Sequence, residues 1–287
     1  MDWQKLSLTL LPKNLLSYCL GSIVRLELPE PLSQALNKKF ARTFKLNLSE
    51  AELPLSDYRT IEEVFTRKLK TGARLWYPGF ASPADGTILQ SSAVKHSDEA
   101  LQIKGCTYSL NELIFGKQSR DESSEAFTSH WYTTIYLAPH NYHRVHTPLA
   151  ATLTKIRYIP GNLWPVNERF NKLIPGLLSN NERLVFELTT AGKGRVMVVM
   201  VGALNVGRIA SSHAPELTSN TWQRQLEGKN SQGIREKNCT VSLATGAELG
   251  VFMLGSTVVV VCDQTAAKEH PLQYLTAPHP VHVGDKL

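Results

Sequence analysis

Apolar positions follow helical spacing over the first seventy residues and strand spacing over most of the rest. Leu6, Leu10, Leu11 and Leu15 recur on one helical face, with Pro12 as a kink. Behind Pro29 and Pro31, a second stripe takes every fourth residue: Leu32, Leu36, Phe40 and Phe44. Thr60 and Glu63 form a capping box, which predicts a third helix running through Leu69. From Pro83 onward, β-branched and aromatic runs bounded by turn residues predict strands. They cover Thr87–Val94, Tyr132–Leu137, Thr152–Ile159, Leu184–Leu188, Val196–Leu204, Val206–Ala210, Thr240–Leu243 and Val251–Cys262. A short helix is predicted at Ser109, where Ser109 and Glu112 make another capping box. Residues 211–238 are polar, without a long apolar run, and read as a mobile excursion. There is no internal repeat. The expected architecture is α+β: a helical region over residues 1–70, then a mostly antiparallel β body over residues 71–287.

Composition narrows the class. In 287 residues, 42% are hydrophobic and 20% charged, which suits a globular chain with a sizeable core and excludes a disordered or fibrous one. The apolar stretch Leu15 to Val24 is about half of what a bilayer span needs and contains Ser17, Gly21 and Ser22. Asp2 and the lack of a small-residue cleavage site argue against a signal peptide. Cys19, Cys106, Cys239 and Cys262 form no CxxC pair, which speaks against a zinc site or disulfide framework and suits a reducing compartment. Net charge is +6, and residues 1–50 hold seven Lys/Arg against four Asp/Glu, a surplus of three. A basic, leucine-rich segment without a spanning helix fits an anionic membrane surface; a solvated helical face packed on the body accounts for it equally well.

Three segments could carry chemistry. Val251 to Cys262 reads as one buried strand interrupted by Gly255-Ser256-Thr257. The interruption is either an ordinary bulge or a site where Gly255 lets the Ser256 hydroxyl approach the preceding carbonyl. In Tyr142-His143-Arg144-Val145-His146, strand spacing sends the two histidines to opposite faces, whereas a turn lets them share one. His140 adds a third histidine; two metal ligands are conceivable, but no further ligand is evident. Pro83-Ala84-Asp85-Gly86 is turn chemistry. Together they supply Asp85, His143 or His146, and Ser256, the ingredients of a constellation recognised by roles in space.

These segments resemble bacterial phosphatidylserine decarboxylases. Leu254-Gly255-Ser256-Thr257 is similar to that family's LGST self-cleavage motif, Pro83–Gly86 to its PADG and Tyr142–His146 to its YHRVH. Pro160-Gly161 with Val166-Asn167, Asn181-Glu182-Arg183, Val201-Gly202-Ala203 and Glu248–Phe252 extend the resemblance over nearly the whole chain. One departure is His140-Asn141, where the family usually has Arg-Asp. The segment 211–238 offers no motif.

The resemblance implies self-maturation. Ser256 attacks the Gly255 carbonyl with His146 as base and Asp85 orienting the imidazole. The amide becomes an ester, elimination leaves a dehydroalanine, and hydrolysis leaves a pyruvoyl group at the new terminus. The products are a larger chain, 1–255, and a smaller one, 256–287. The covalent pyruvate is the only cofactor implied, and no metal. The pyruvoyl group then acts as electron sink while phosphatidylserine loses carbon dioxide to give phosphatidylethanolamine, with His143 as candidate proton donor. The basic N-terminus resembles the family's membrane-binding segment. The implied setting is therefore peripheral, on the cytoplasmic face of the cell membrane, with phosphatidylserine in an anionic bilayer as partner. A further homodimer is implied and no nucleic acid. Two other readings remain: a serine hydrolase built on Asp85, His146 and Ser256, which lacks a GxSxG elbow, and a non-enzymatic membrane-docked β module.

Overall fold

The computed structural model describes residues 12–94, 98–103, 106–117, 127–166, 168–204, 208–221, 233–253, 257–273 and 275–287. Leu6, Leu10 and Leu11 of the first stripe lie outside the described residues, as do Leu254, Gly255 and Ser256.

The N-terminal region is helical as expected, with α1 at Lys13–Ile23, α2 at Glu30–Thr43 and α3 at Ile61–Phe65. The Thr60 hydroxyl accepts the Glu63 amide at 3.1 Å, which caps α3. The helix stops four residues short of Leu69. Thr66 turns its hydroxyl back onto the Glu62 carbonyl at 2.8 Å, and Arg144 captures the Thr66 carbonyl at 2.8 Å. Polar residues take buried positions on both helices, although Leu36 and Phe40 of the second stripe are half-buried and Phe40 packs on Phe65. α1 buries Lys13 and Ser17 while Leu15 and Leu16 stand exposed, and α2 buries Ser33, Asn37 and Ala41 while Leu32 and Phe44 are exposed. Specific polar bonds hold these inward faces. Asn14 Nδ2 donates to the Gly161 carbonyl at 3.1 Å, Asn37 Nδ2 to the Tyr58 carbonyl at 2.8 Å, and the Lys13 ammonium lies 4.0 Å from the Trp164 ring centre.

The body holds thirteen strands among the described residues. They are β1 Gly86–Ala93, β2 Glu99–Ile103, β3 Cys106–Ser109, β4 Trp131–Tyr136, β5 Arg144–His146, β6 Ala151–Ile159, β7 Arg183–Thr189, β8 Arg195–Val201, β9 Ile209–Ala210, β10 Arg235–Leu243, β11 Glu248–Phe252, β12 Thr257–Cys262 and β13 His279–Val281. Eight form one antiparallel sheet in the order β10-β6-β7-β8-β12-β4-β1-β13; β5-β11-β9 form a second sheet, and β2-β3 a hairpin. Central β12 is buried on both faces. Val258, Val260 and Cys262 join one core, with Phe80, Trp131 and Ile135; Val259 and Val261 join the other. Two-sided burial explains an unbroken apolar run in an antiparallel strand. The first core is closed by the small sheet through Val145, Leu249 and Phe252. The second is closed by α4 at Leu110–Phe115, α5 at Glu168–Leu173 and α6 at Leu177–Asn180. α4 opens on the predicted cap, with Ser109 Oγ accepting the Glu112 amide at 3.0 Å. α7 spans Gln264–Glu269.

Most predicted strands appear within a few residues of their expected ends. The main correction concerns Val251–Cys262, which is two strands in two sheets rather than one interrupted strand. β11 pairs with β5 and β9, whereas β12 pairs with β4 and β8. The run 211–238 is also not a uniform excursion. Ser211, Leu217, Ser219 and Asn220 are buried and residues from Arg235 onward extend β10, while 222–232 lie outside the described residues. β2, β3, β5 and β13 were not expected.

Candidate active site

The chain crosses from the small sheet to the large one between Met253 and Thr257, so the Leu254-Gly255-Ser256 segment joins two separately anchored strands. On one side, the Phe252 amide donates to the His143 carbonyl at 3.0 Å and the Met253 amide to the Arg208 carbonyl at 2.9 Å. On the other, Thr257 is in register with both Tyr136 and Val201. Tyr136 is also in register with Thr87, two residues beyond Asp85. All three predicted segments therefore converge on this junction.

His143 is fully buried, immediately before β5. The Phe65 ring of α3 covers it, with centroids 3.8 Å apart. Neither ring nitrogen is hydrogen-bonded, although the Asn141 carbonyl lies nearby. Burial, aided by the positive charge of Arg67, depresses its pKa to about 3, so it is neutral at physiological pH. A buried imidazole with two orphaned nitrogens is costly, and such groups cluster where chemistry happens.

His146 occupies a different environment. Its Nδ1 is 2.8 Å from the Gly246 carbonyl and its Nε2 is 3.0 Å from the Tyr142 hydroxyl. A carbonyl only accepts, so Nδ1 carries the proton and Nε2 is the basic nitrogen, receiving the Tyr142 hydroxyl. Tyr142 stacks against the imidazole at 5.6 Å between centroids, and Trp76 packs on another side at 5.4 Å. Burial lowers the His146 pKa. Gly246 adopts φ +84°, and a Cβ there would come within 2.4 Å of the Trp76 ring, so only glycine lets its carbonyl reach the histidine.

Asp85 is nearly buried, but it is not the hydrogen-bond partner of His146. Its Oδ1 accepts the Val283 amide at 2.7 Å and its Oδ2 accepts Arg74 at 3.0 Å. Arg74 also bridges to Glu50 at 2.5 Å, which ties the N-terminal region to the Asp85 turn. Asp85 still acts on His146 through space, where its charge favours the imidazolium. The hydrogen bond that His146 Nδ1 was expected to make with Asp85 is made with the Gly246 carbonyl instead.

Several groups at the site had no role assigned from the sequence. Arg144 donates from the single nitrogen Nη1 to both oxygens of Glu248, at 2.9 and 2.8 Å, and so links β5 to β11. Tyr142, Gly246, Trp76 and Arg74 complete the surroundings of His146 and Asp85; Tyr142 lay inside a recognised motif but had no assigned role. The Asn181-Glu182-Arg183 motif is structural in its visible contacts. Asn181 clasps the Trp164 and Gly202 carbonyls at 3.0 and 2.8 Å, while Arg183 caps the end of α4 through the Glu112 and Leu113 carbonyls.

Comparison with known proteins points to one family. The family model for phosphatidylserine decarboxylase matches residues 61–287. A phosphatidylserine decarboxylase proenzyme of Myxococcus xanthus is 38% identical over 258 residues, covering 88% of this chain and 86% of its own. One from Ectopseudomonas mendocina is 38% identical over 286 residues, covering 98% and 96%. One from Psychromonas ingrahamii is 39% identical over 256 residues, covering 88% and 85%. With a family match from α3 to the C-terminus and relatives aligned through the N-terminal helices, the chain belongs to the phosphatidylserine decarboxylase family.

Proposed function

We propose that this chain is a proenzyme that cuts itself between Gly255 and Ser256 and then decarboxylates phosphatidylserine to phosphatidylethanolamine. The observation that carries this reading is the hydrogen bond from Phe252 to His143, which tethers the segment leading to Gly255 beside a buried, unpartnered imidazole.

Maturation follows from the chain's own residues. The Ser256 oxygen bonds to the Gly255 carbonyl carbon as the Gly255–Ser256 C–N bond breaks, and the freed amine is protonated. His146 Nε2 accepts the hydroxyl proton; because Tyr142 donates to that nitrogen, the proton either displaces or passes through its phenol. Asp85 stabilises the resulting imidazolium from a distance. Loss of the Ser256 α-proton then expels the Gly255 carboxylate, and hydrolysis with release of ammonia leaves a pyruvoyl group on the 256–287 chain. That group supplies an electron sink for loss of carbon dioxide. The neutral His143 imidazole keeps both ring nitrogens free beneath the Phe65 ring. His143 is the proposed proton donor to the substrate carbon after carbon dioxide leaves: neutral at rest, it gives up its one N–H proton and takes a replacement at the other, free ring nitrogen as the product departs. Phe65 keeps bulk water away from it.

Residues 1–70 form the membrane-associating region and 71–287 the catalytic domain in this reading, with the enzyme peripheral to the cytoplasmic face and paired as a dimer. The outward apolar faces of α1 and α2 support that placement, and among the described residues no helix is long and apolar enough to cross a membrane.

Intact mass under denaturing conditions tests the core of the reading. The wild type should give two chains, 1–255 and a 256–287 chain lighter by one ammonia than a serine-initiated peptide. Ser256→Ala should give one chain and no carbon dioxide release. A wild type that stays whole after prolonged incubation sinks the proposal.

A further inference from the structure

A groove of about 330 Å³ opens between the 52–68 segment and β5, and Arg67 lines it together with Arg59, Lys68 and Arg144. Arg67 is 3% exposed. Its contacts are long: 3.5 Å to the Val64 carbonyl, 3.3 Å to that of His140 and 3.5 Å to that of Asn141. Its Nε has no partner, and among the described residues it makes no ion pair. The carboxylate acting on it most, Asp85, is already bonded to Arg74 and the Val283 amide. Arg144 is likewise committed to Glu248. Glu52, Asp57 and Glu63 also line the groove, yet none pairs with Arg67. A buried guanidinium without an anion is expensive, and burial accordingly lowers its pKa.

We propose that Arg67 binds the phosphodiester of the substrate headgroup beside His143. This rests on the decarboxylase reading above. The substrate carries two anionic groups, and catalysis distinguishes them. The carboxylate loses its charge in the transition state, so a fixed cation on it would stabilise the ground state and slow the reaction. The phosphodiester keeps its charge throughout, so a cation there assists binding without opposing chemistry. Three bonds separate phosphorus from the carbon that is protonated after carbon dioxide leaves. A phosphate-binding cation must therefore lie close to the proton donor, and Arg67 Nη2 lies 3.3 and 3.5 Å from the His140 and Asn141 carbonyls, on the turn that leads into His143. The planar fork of arginine suits two phosphate oxygens.

The test compares wild type, Arg67→Gln and Arg67→Lys on short-chain, water-soluble phosphatidylserine, with intact mass as the check that each variant matures. Arg67→Gln should raise KM at least tenfold with kcat within threefold, and Arg67→Lys should recover part of the loss. An unchanged KM, or a fall in kcat alone, would overturn the proposal and leave Arg67 as a brace for the His140–Asn141 loop. Calorimetry with sn-glycerol 3-phosphate gives a readout independent of turnover and of maturation. Binding to wild type that Arg67→Gln abolishes upholds the anion site, and absence of binding to wild type rejects it. The same titration with serine, which lacks the phosphate, should show no Arg67 dependence; loss of serine binding in Arg67→Gln would instead assign Arg67 to the carboxylate and reject the phosphodiester. A wild type that matures but releases no carbon dioxide would refute the decarboxylase reading, while the calorimetric result still judges the anion site.

Discussion

At the scale of single residues, the two histidines divide by environment. His146 has its tautomer fixed by the Gly246 carbonyl and keeps a basic Nε2 at a half-buried position; His143 is sealed and orphaned. The sealing has a consequence for stability. In the unfolded chain His143 takes a proton below its ordinary pKa of 6.5, whereas the folded protein refuses it until about pH 3. The unfolded state therefore binds more protons between these limits, and stability falls as pH drops through 6.5 towards 3. Between pH 7.5 and 5 this one group should cost on the order of 2 kcal/mol. Denaturant unfolding at the two pH values should show His143→Phe losing less stability than wild type by about that amount. Equal losses would mean that the ring is not shielded from protons.

At the scale of elements, the N-terminal helices bury polar residues and leave several apolar ones outside. α1 turns Lys13 and Ser17 to the body and presents Leu16 at 44% and Ile23 at 61% exposure. α2 follows the same rule, burying Asn37 and exposing Leu32. An outward apolar stripe next to a basic surface is what an anionic bilayer would cover. The double variant Leu16→Asp with Ile23→Asp should bind vesicles of anionic phospholipid at least tenfold more weakly, while maturing normally by intact mass. Undiminished vesicle sedimentation would show that these helices do not carry the attachment. Periodicity predicted both helices, but it left open which face meets the body. For α1 the hydrogen bond from Asn14 to the Gly161 carbonyl settles that, while Asn37 of α2 bonds to Tyr58 within the N-terminal region itself.

For the whole molecule, the proposed cut falls between two sheets, and this determines what becomes of the products. The 256–287 piece contributes β12, which sits between β4 and β8 in the middle of the large sheet with every residue buried, and β13, which pairs with β1. Cutting between Gly255 and Ser256 removes no residue from β11 or β12 and leaves both ladders intact. The two chains should therefore co-elute in gel filtration under native conditions and separate only in denaturant. Elution of a free 256–287 chain from native protein would contradict the sheet order described here.

The sequence by itself determined the helical start, the β body, most strand positions and the three motifs that converge on the junction. These features are encoded locally, in periodicity, in capping pairs such as Thr60–Glu63, and in short runs whose residue types are constrained together. It did not reveal that Val251–Cys262 splits between two sheets, because a strand buried on both faces and a strand of a small covering sheet look equally apolar. Nor could it assign the partner of His146. Asp85 was the natural candidate by residue type, but Arg74 and the Val283 amide claim its oxygens, and a backbone carbonyl at Gly246 takes the histidine. Backbone carbonyls are the same in every sequence, and the contacts of Arg67, Phe65 and Trp76 span dozens of positions. Only the tertiary structure, which brings such distant groups within 3 or 4 Å, decides which of them serve the site.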